Sequence, residues 1–550
     1  MTDEWGDRYT PAEVLALYRE HDGTLNDLVA GRAAADPDRP MLVCGERSWT
    51  WAEATDAARR LAGHLRHRGV EPGDRVLVMG RNSDWHVLAL LAAAGLGAVF
   101  VPVNPDFKVE EAAYVLRQSG ARAILCDEAA EPVAEAARDD VDSSAWIERL
   151  DGGLLDTEPI EPVGGDPQAP CVMIYTSGTT GFPKGVLHSQ RSVIAAGESF
   201  VERVRLQPHD RVLTILPLFH VNGLLYSVAG ALAAGATLLL EPRFSASRFW
   251  PTVERLGATQ VNMIEAISAI LLNRPDDEYV PGHGLRKIYG IRQASTRAFR
   301  ERFEVPHLVG GYGMTEIPGI LSTPYDAEAR PGSMGRLCRH PDPARPWAQC
   351  RIVDEAGADV PDGEVGELWV RTPIVMLEYF REPEQTADAF EGDWFRTGDL
   401  VRRDQDGWYY FVARKKDIIR RRGENVSGAE LDRVVAEHPE VVLAAAVGVP
   451  SEMGDEDILL VATPRADSLL TEQEIADFCG ARLARIKRPR YVLLTRDMPL
   501  TPTGKVAKHL LRADATLRDR AREVREVREV REVREVNVSA DQQPARPGPR

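Results

Sequence analysis

A chain of 550 residues exceeds what one hydrophobic core supports, so at least two domains are expected. With 44% hydrophobic and 27% charged residues it has the composition of a soluble globular protein. The net charge of −17 argues against nucleic acid or an anionic membrane surface as the main partner.

Met1 is followed by "TDEWGDRYT", which has neither a basic start nor an apolar core, so no signal peptide is expected and the protein is placed in the cytoplasm. "WAEATDAARRLAGHLRHRG" (51–69) has apolar residues three and four apart and a closing glycine, which predicts an amphipathic helix. "DRVLVMG" (74–80) predicts a strand. The apolar run "VLALLAAAGLGAVFVPV" (87–103) falls short of a membrane span and is broken by Gly95, Gly97 and Pro102, so it reads as buried helix, glycine turn and buried strand. "RVLTILPL" (211–218) and "GATLLLE" (235–241) are further buried strands. This alternation indicates an α/β protein with largely parallel sheets.

Near residue 350 the texture changes to short strands, "RIVD", "GELWVR" and "GWYYFVARKKD", separated by turn-rich "EAGADVPDGEVG" and "DQDG". From Gly423 a smaller α+β unit follows: helix "SGAELDRVVAEHP", strand "VVLAAAVGV", helix "TEQEIADFCGARLA", strand "RYVLLT". The expected division is a large N-terminal domain over 1–413, a small mobile domain over 414–515 and a tail over 516–550. Residues 522–536 are five copies of Arg-Glu-Val, and a period of three gives no steady apolar stripe on a helix. A dispensable, partly helical and then disordered extension is expected. The six cysteines (Cys44, Cys126, Cys171, Cys338, Cys350 and Cys479) form no CxxC pair and read as reduced core thiols.

The stretch richest in chemistry is "YTSGTTGFPKGV" (175–186), directly after the apolar "CVMI". Its glycines permit tight turns that aim backbone N–H groups at one point, its hydroxyls add donors, and Lys184 adds a mobile positive charge. Together they describe a cradle for nucleotide phosphates, although the spacing is not that of a Walker A loop.

This loop resembles the phosphate loop of the adenylate-forming superfamily: acyl-CoA synthetases, amino-acid adenylation domains and luciferases. The superfamily's other motifs follow in order: "LPLFHVNGL" (216–224), "GGYGMTE" (310–316), "RPGSMGR" (330–336), "GELWVR" (366–371), "WFRTGDL" (394–400), "ARKKDIIRRRGENVSGAELD" (413–432) and "PLTPTGKVAK" (499–508). The resemblance covers roughly 25–515. "SASRFWPTVERLGAT", "EYFREPEQTADAF" and "RRGENVSGAELDRVVAEHP" are most similar to the crotonobetaine/carnitine–CoA ligases and their relatives.

The resemblance implies two half-reactions. A carboxylate attacks the α-phosphate of ATP, giving an acyl adenylate and pyrophosphate, and a thiol, usually coenzyme A, displaces AMP. Residue by residue, it implies that Thr176, Ser177, Gly178, Thr179, Thr180 and Lys184 hold the β- and γ-phosphates. Gly311, Tyr312, Gly313 and Met314 form the adenine motif, with Tyr312 stacking on the base. Thr315 reaches the α-phosphate, and Glu316, with Thr176, holds Mg²⁺. Asp399 takes the ribose hydroxyls and Arg414 backs it. Lys505 serves adenylation from the small domain, which turns about Lys416 to present a thiol-binding face with Gly423, Glu424 and Asn425. His220 matches a gate between acyl pocket and phosphates.

Two departures stand out. "IYGIRQAST" (288–296) lacks the superfamily's Gly-Gly-Ala triplet, and Arg292 and Gln293 either face the acyl pocket, disfavouring a long plain fatty acid, or face solvent. Ala413 replaces a glycine before Arg414. The leading expectation is a CoA ligase for a small or medium carboxylic acid, a monomer or homodimer with no nucleic-acid partner. Adenylation with another acceptor (a carrier-protein thiol, an amine, or nitrite activated for diazotisation) stays open, as does a non-catalytic nucleotide-binding scaffold.

Overall fold

The computed structural model describes residues 23–163, 165–176, 183–338, 340, 347–422, 424–451, 455–500 and 506–524. The chain divides into two compact units between Lys416 and Asp417.

The first unit is built on three sheets. One runs His307–Val309, Lys287–Tyr289, Gln260–Asn262, Arg211–Thr214, Thr237–Leu240 and Pro40–Cys44 in parallel, with Arg47–Thr50 closing the edge as a hairpin. The second carries parallel Pro170–Thr176, Val99–Val103, Arg75–Met79, Ala123–Cys126 and Trp146–Arg149. Lys184–Ser189 and Glu378–Tyr379 extend it antiparallel from the Pro170–Thr176 side. The third is antiparallel and holds the motif strands Gly311–Met314, Ile317–Ser322, Trp394–Arg403 and Trp408–Arg414.

Local chemistry explains the elements. The helix Trp51–His67 starts on a reciprocal cap between Thr50 and Glu53 and buries Ala54, Ala58, Leu61 and Leu65, the stripe expected from their spacing. The apolar run forms the wholly buried helix Asp84–Leu96, a left-handed Gly97 and the strand Val99–Val103. Among the described residues no helix is long and apolar enough to cross a membrane. The strand expected over 211–218 stops at Thr214. Pro217 has no N–H for a ladder, and the Leu216 carbonyl is taken by the Asn82 side chain instead. A π-helix, Asn222–Val228, follows, which the sequence reading did not foresee.

The second unit pairs Ile418–Arg421 with Glu424–Ser427 and stacks the helices Gly428–Ala436 and Glu472–Arg482 against the sheet Val441–Pro450, Glu456–Pro464, Tyr491–Leu494 and Arg522–Glu523. The tail expected from residue 516 is corrected here. Leu517 and Val524 are buried, Arg522–Glu523 pairs with Tyr491–Val492, and Arg490 bonds Glu523, so the first copy of the Arg-Glu-Val repeat belongs to the folded sheet. The later copies lie outside the described residues. All six cysteines are free.

Candidate active site

Thr176 ends one strand, Lys184 begins the next, and the two are direct partners in the antiparallel ladder. The hydroxyl- and glycine-rich segment is therefore the connection of a hairpin, with both stems fixed. Ser177, Gly178, Thr179 and Thr180 lie outside the described residues, as do Gly423 and Lys505. The far stem is pinned by the Tyr114 hydroxyl, which donates to the Pro183 carbonyl at 3.0 Å.

Lys184 is half-buried, with its ammonium 4.6 Å from the centre of the Tyr379 ring. Burial, and then the positive charge of Lys416, push its pKa down, opposed by Glu316 and Glu382. Glu316 is 7% exposed, and one of its oxygens accepts a hydrogen bond from the Tyr379 hydroxyl at 2.7 Å. Thr315 precedes it with its carbonyl bound to His188 Nε2 at 2.7 Å. A carbonyl only accepts, so His188 carries its proton on Nε2 and leaves Nδ1 as the acceptor facing Ser192 Oγ, 3.1 Å away. Burial lowers the His188 pKa to about 4, which keeps the ring neutral at pH 7.

Asp399 anchors a second cluster. Asp399 is 1% exposed, accepting the Tyr312 hydroxyl at 2.6 Å on one oxygen and Arg414 Nε at 2.7 Å on the other. Asp399 and Arg414 meet because they are ladder partners. Tyr312 lies four strands from Asp399's strand in the sheet order, about 19 Å if the sheet were flat, so the sheet rolls round to bring them together. Burial and the Asp399 charge hold the Tyr312 phenol well above its usual pKa, so it stays a donor. Below, Glu367 accepts from the Gly398 N–H at 3.1 Å and from Lys415 Nζ at 3.2 Å, bracing the turn before Asp399.

Gly311 and Gly313 are exposed in the adenine motif because nothing else fits. A Cβ on Gly311 would overlap the Tyr289 hydroxyl, and one on Gly313 would overlap the Gly319 backbone. Gly319 is left-handed (φ +68°) over the Arg203 guanidinium. That guanidinium is buried, bonded to Tyr289 and Ser199 and flanked by the rings of Phe200, Tyr226 and Tyr289. His220 is half-buried against Phe219, ring centres 4.5 Å apart. Lys416 is exposed, and Glu424 and Asn425 pair with Arg421 and Arg420 in the second unit. Arg292 and Gln293 are exposed at the start of the helix Gln293–Phe303, where Glu265 accepts from the Arg292 N–H and from Ser295 Oγ.

The structure thus gathers Thr176, Lys184, Thr315 and Glu316 about one hairpin and Tyr312, Asp399 and Arg414 about one carboxylate. Sequence reasoning missed His188, Glu367 and Tyr379. His188 carried one signal, a titratable ring inside the apolar strand "KGVLHS".

The donor set can also be tested against a magnesium ion. Among the described residues no group of three or more His, Cys, Asp or Glu could form a metal cage. Glu316 offers a single carboxylate with one oxygen already occupied. That fits a hard cation that arrives on a nucleotide's phosphates and keeps much of its water, with Thr176 as a second oxygen donor.

Residues 29–380 match the family model of the AMP-binding enzymes, and 430–505 match the AMP-binding enzyme C-terminal domain. A sulfoacetate–CoA ligase of Cupriavidus necator is 34% identical over 510 residues, 88% of this chain and 96% of that protein. A crotonobetaine/carnitine–CoA ligase of Escherichia coli is 30% identical over 494 residues, 84% of this chain and 93% of that protein. The crystal structure of ATP-bound MatB from Rhodopseudomonas palustris superposes with a TM-score of 0.79 at 26% identity, covering 89% of this chain and 98% of that one. With these matches along most of its length, the chain belongs to the AMP-binding enzyme family, the adenylate-forming superfamily.

Proposed function

We propose that the protein is an AMP-forming acid–thiol ligase, activating a carboxylic acid with ATP and passing the acyl group to coenzyme A. The observation that carries this reading is the polarity of the site. Lys184 and Glu316 converge on one tyrosine beside the hydroxyl-rich hairpin, and a buried carboxylate, Asp399, is held ready by Tyr312 and Arg414.

A carboxylate is already a nucleophile, so the first step asks for charge neutralisation rather than a general base. The acid's oxygen bonds to the α-phosphorus as the bond to the β-phosphate oxygen breaks. Lys184 and the hairpin donors stabilise the departing pyrophosphate. Mg²⁺ on Glu316 and Thr176 would supply further neutralisation of the phosphate oxygens. Thr315, its carbonyl tied back by His188, keeps its hydroxyl free for the α-phosphate. Asp399 fixes the ribose. Lys505 acts in this half-reaction only, while Gly423, Glu424 and Asn425 serve the attack of the thiolate on the acyl carbon, which expels AMP. The exchange uses a turn about Lys416, a reading supported by the division of the chain at that residue. Six free cysteines support a reducing, cytoplasmic setting.

The test is pyrophosphate and AMP release across a panel of carboxylic acids, with coenzyme A present or withheld. One pyrophosphate per AMP, and an acyl-CoA only with the thiol present, is expected. ADP and phosphate as products would overturn the reading, and product on a carrier-protein thiol alone would change the acceptor.

A further inference from the structure

Lys184 and Glu316 are bridged by a residue whose segment has so far been given no function. The chain over Met376–Phe380 lies as a strap across both. Met376 donates its N–H to the Glu316 carbonyl at 2.8 Å, Leu377 to the Leu187 carbonyl at 2.7 Å, and Phe380 to the Gly185 carbonyl at 2.8 Å. Glu378 and Tyr379 are the ladder partners of Leu187 and Val186, in the strand that begins with Lys184. The far end is fixed by the Gln118 amide, which donates to the Phe380 carbonyl at 2.6 Å. Tyr379 is therefore held in backbone and side chain, only 9% exposed. Its hydroxyl reaches Glu316 Oε1 at 2.7 Å, and its ring lies 4.6 Å from the Lys184 ammonium.

We propose that Tyr379 is a positioning residue for metal and phosphate: its hydroxyl fixes the rotamer of Glu316 so that Oε2 alone faces the metal, and its ring face sets the approach of Lys184. Two opposite charges on one aromatic side chain are kept from pairing with each other. The carboxylate meets the donor edge of the phenol and the ammonium meets the electron-rich face. A direct ion pair between Lys184 and Glu316 would neutralise both groups before a nucleotide arrived. With the tyrosine between them, each keeps its charge for its own ligand. This rests on the reading of Glu316 as the metal ligand.

The experiment measures Mn²⁺ affinity by electron paramagnetic resonance on full-length protein saturated with α,β-methylene-ATP, and the Mg²⁺ dependence of adenylation by pyrophosphate exchange. Tyr379→Phe keeps the ring and loses the hydroxyl. It is expected to weaken Mn²⁺ binding about 10- to 30-fold, the worth of one hydrogen bond to a charged group, with the rate at saturating metal within about twofold of the parent. Tyr379→Leu is expected to weaken the nucleotide analogue's binding as well. Glu316→Asp draws the carboxylate back from the phenol, and combining it with Tyr379→Phe is expected to add nothing further. Unchanged Mn²⁺ affinity in Tyr379→Phe, or additive losses in the double variant, would overturn the proposal. If Glu316→Gln weakens Mn²⁺ binding and Tyr379→Phe does not, the positioning role alone fails. If Glu316→Gln leaves it unchanged, the metal reading fails and the proposal with it.

Discussion

The Asp399 cluster allows a quantitative test of its proposed hold on the ribose. Tyr312→Phe deletes one hydrogen bond to a buried carboxylate, a change of about 2 kcal/mol in unfolding free energy. Asp399→Asn keeps the size but removes the charge, giving up the charge-assisted bond from Tyr312 and releasing Arg414. Because the Arg414 side chain is 39% exposed, solvent screens its share, and about 1 kcal/mol is assigned to it, for a total of about 3 kcal/mol. Both variants remove the same contact, so the double variant should lose about 3 kcal/mol, a coupling of about 2 kcal/mol. All ten tryptophans precede Lys416, so tryptophan fluorescence during urea unfolding reads the first unit alone. In turnover, Tyr312→Phe retains its ring and should change the KM for ATP less than about threefold, whereas Asp399→Asn should raise it about 30-fold through two weakened hydrogen bonds to ribose. Additive stability losses, or an unchanged KM in Asp399→Asn, would refute the reasoning.

His86 and His188 are buried, with pKa values lowered to about 4, so the unfolded chain takes up their protons first. Their stability is present above pH 6.5 and is lost as pH falls, about 2 kcal/mol each between pH 7 and pH 5. Glu202 runs the other way: burial raises it to about 7, and it returns about 2 kcal/mol over the same interval. Glu202→Gln should therefore steepen the acid loss between urea midpoints at pH 7 and pH 5, and a shallower loss would contradict the assignment. Lys505→Ala should abolish adenylation yet leave thioester formation from supplied acyl adenylate largely intact, as separate assays of the two half-reactions would register. Ending the chain after Val524 should leave turnover within about twofold. Ending it after Thr516 strips away the buried Leu517 and Val524 and should cost the second unit about 3 kcal/mol, read by circular dichroism melts.

Much of the site was legible because it is written locally. The hairpin declares itself through glycines, hydroxyls and one lysine within twelve residues, and Asp399 and Arg414 sit on successive strands whose short turn sets the register. The alternation of helix and strand survived because period and capping residues agree, as at Thr50 and Thr471. What escaped was made by folding. Tyr379 is 63 residues from Glu316, and only the ladder with Val186 brings its hydroxyl there. His188 acquires its role from a carbonyl 127 residues away. Val524 looked like any other valine of a repeat with no apolar face, and the edge of a sheet gave the first copy a place the pattern could not announce.

The glycines of the adenine motif have a consequence for how such an enzyme can diversify. Beneath Gly311, Gly313 and Gly319 lies a close-packed bed of Tyr226, Tyr289, Phe200 and the charged Arg203, which neither yields nor titrates in the physiological range. The strand on top acts as a machinist's datum, a bare backbone edge from which every other position is measured. Positions such as Asn222, Ile264 and Arg292 carry ordinary side chains, are half-buried or exposed, and can be exchanged without meeting that bed. A lineage cannot move the datum by a single methyl group without lifting the sheet off its bed.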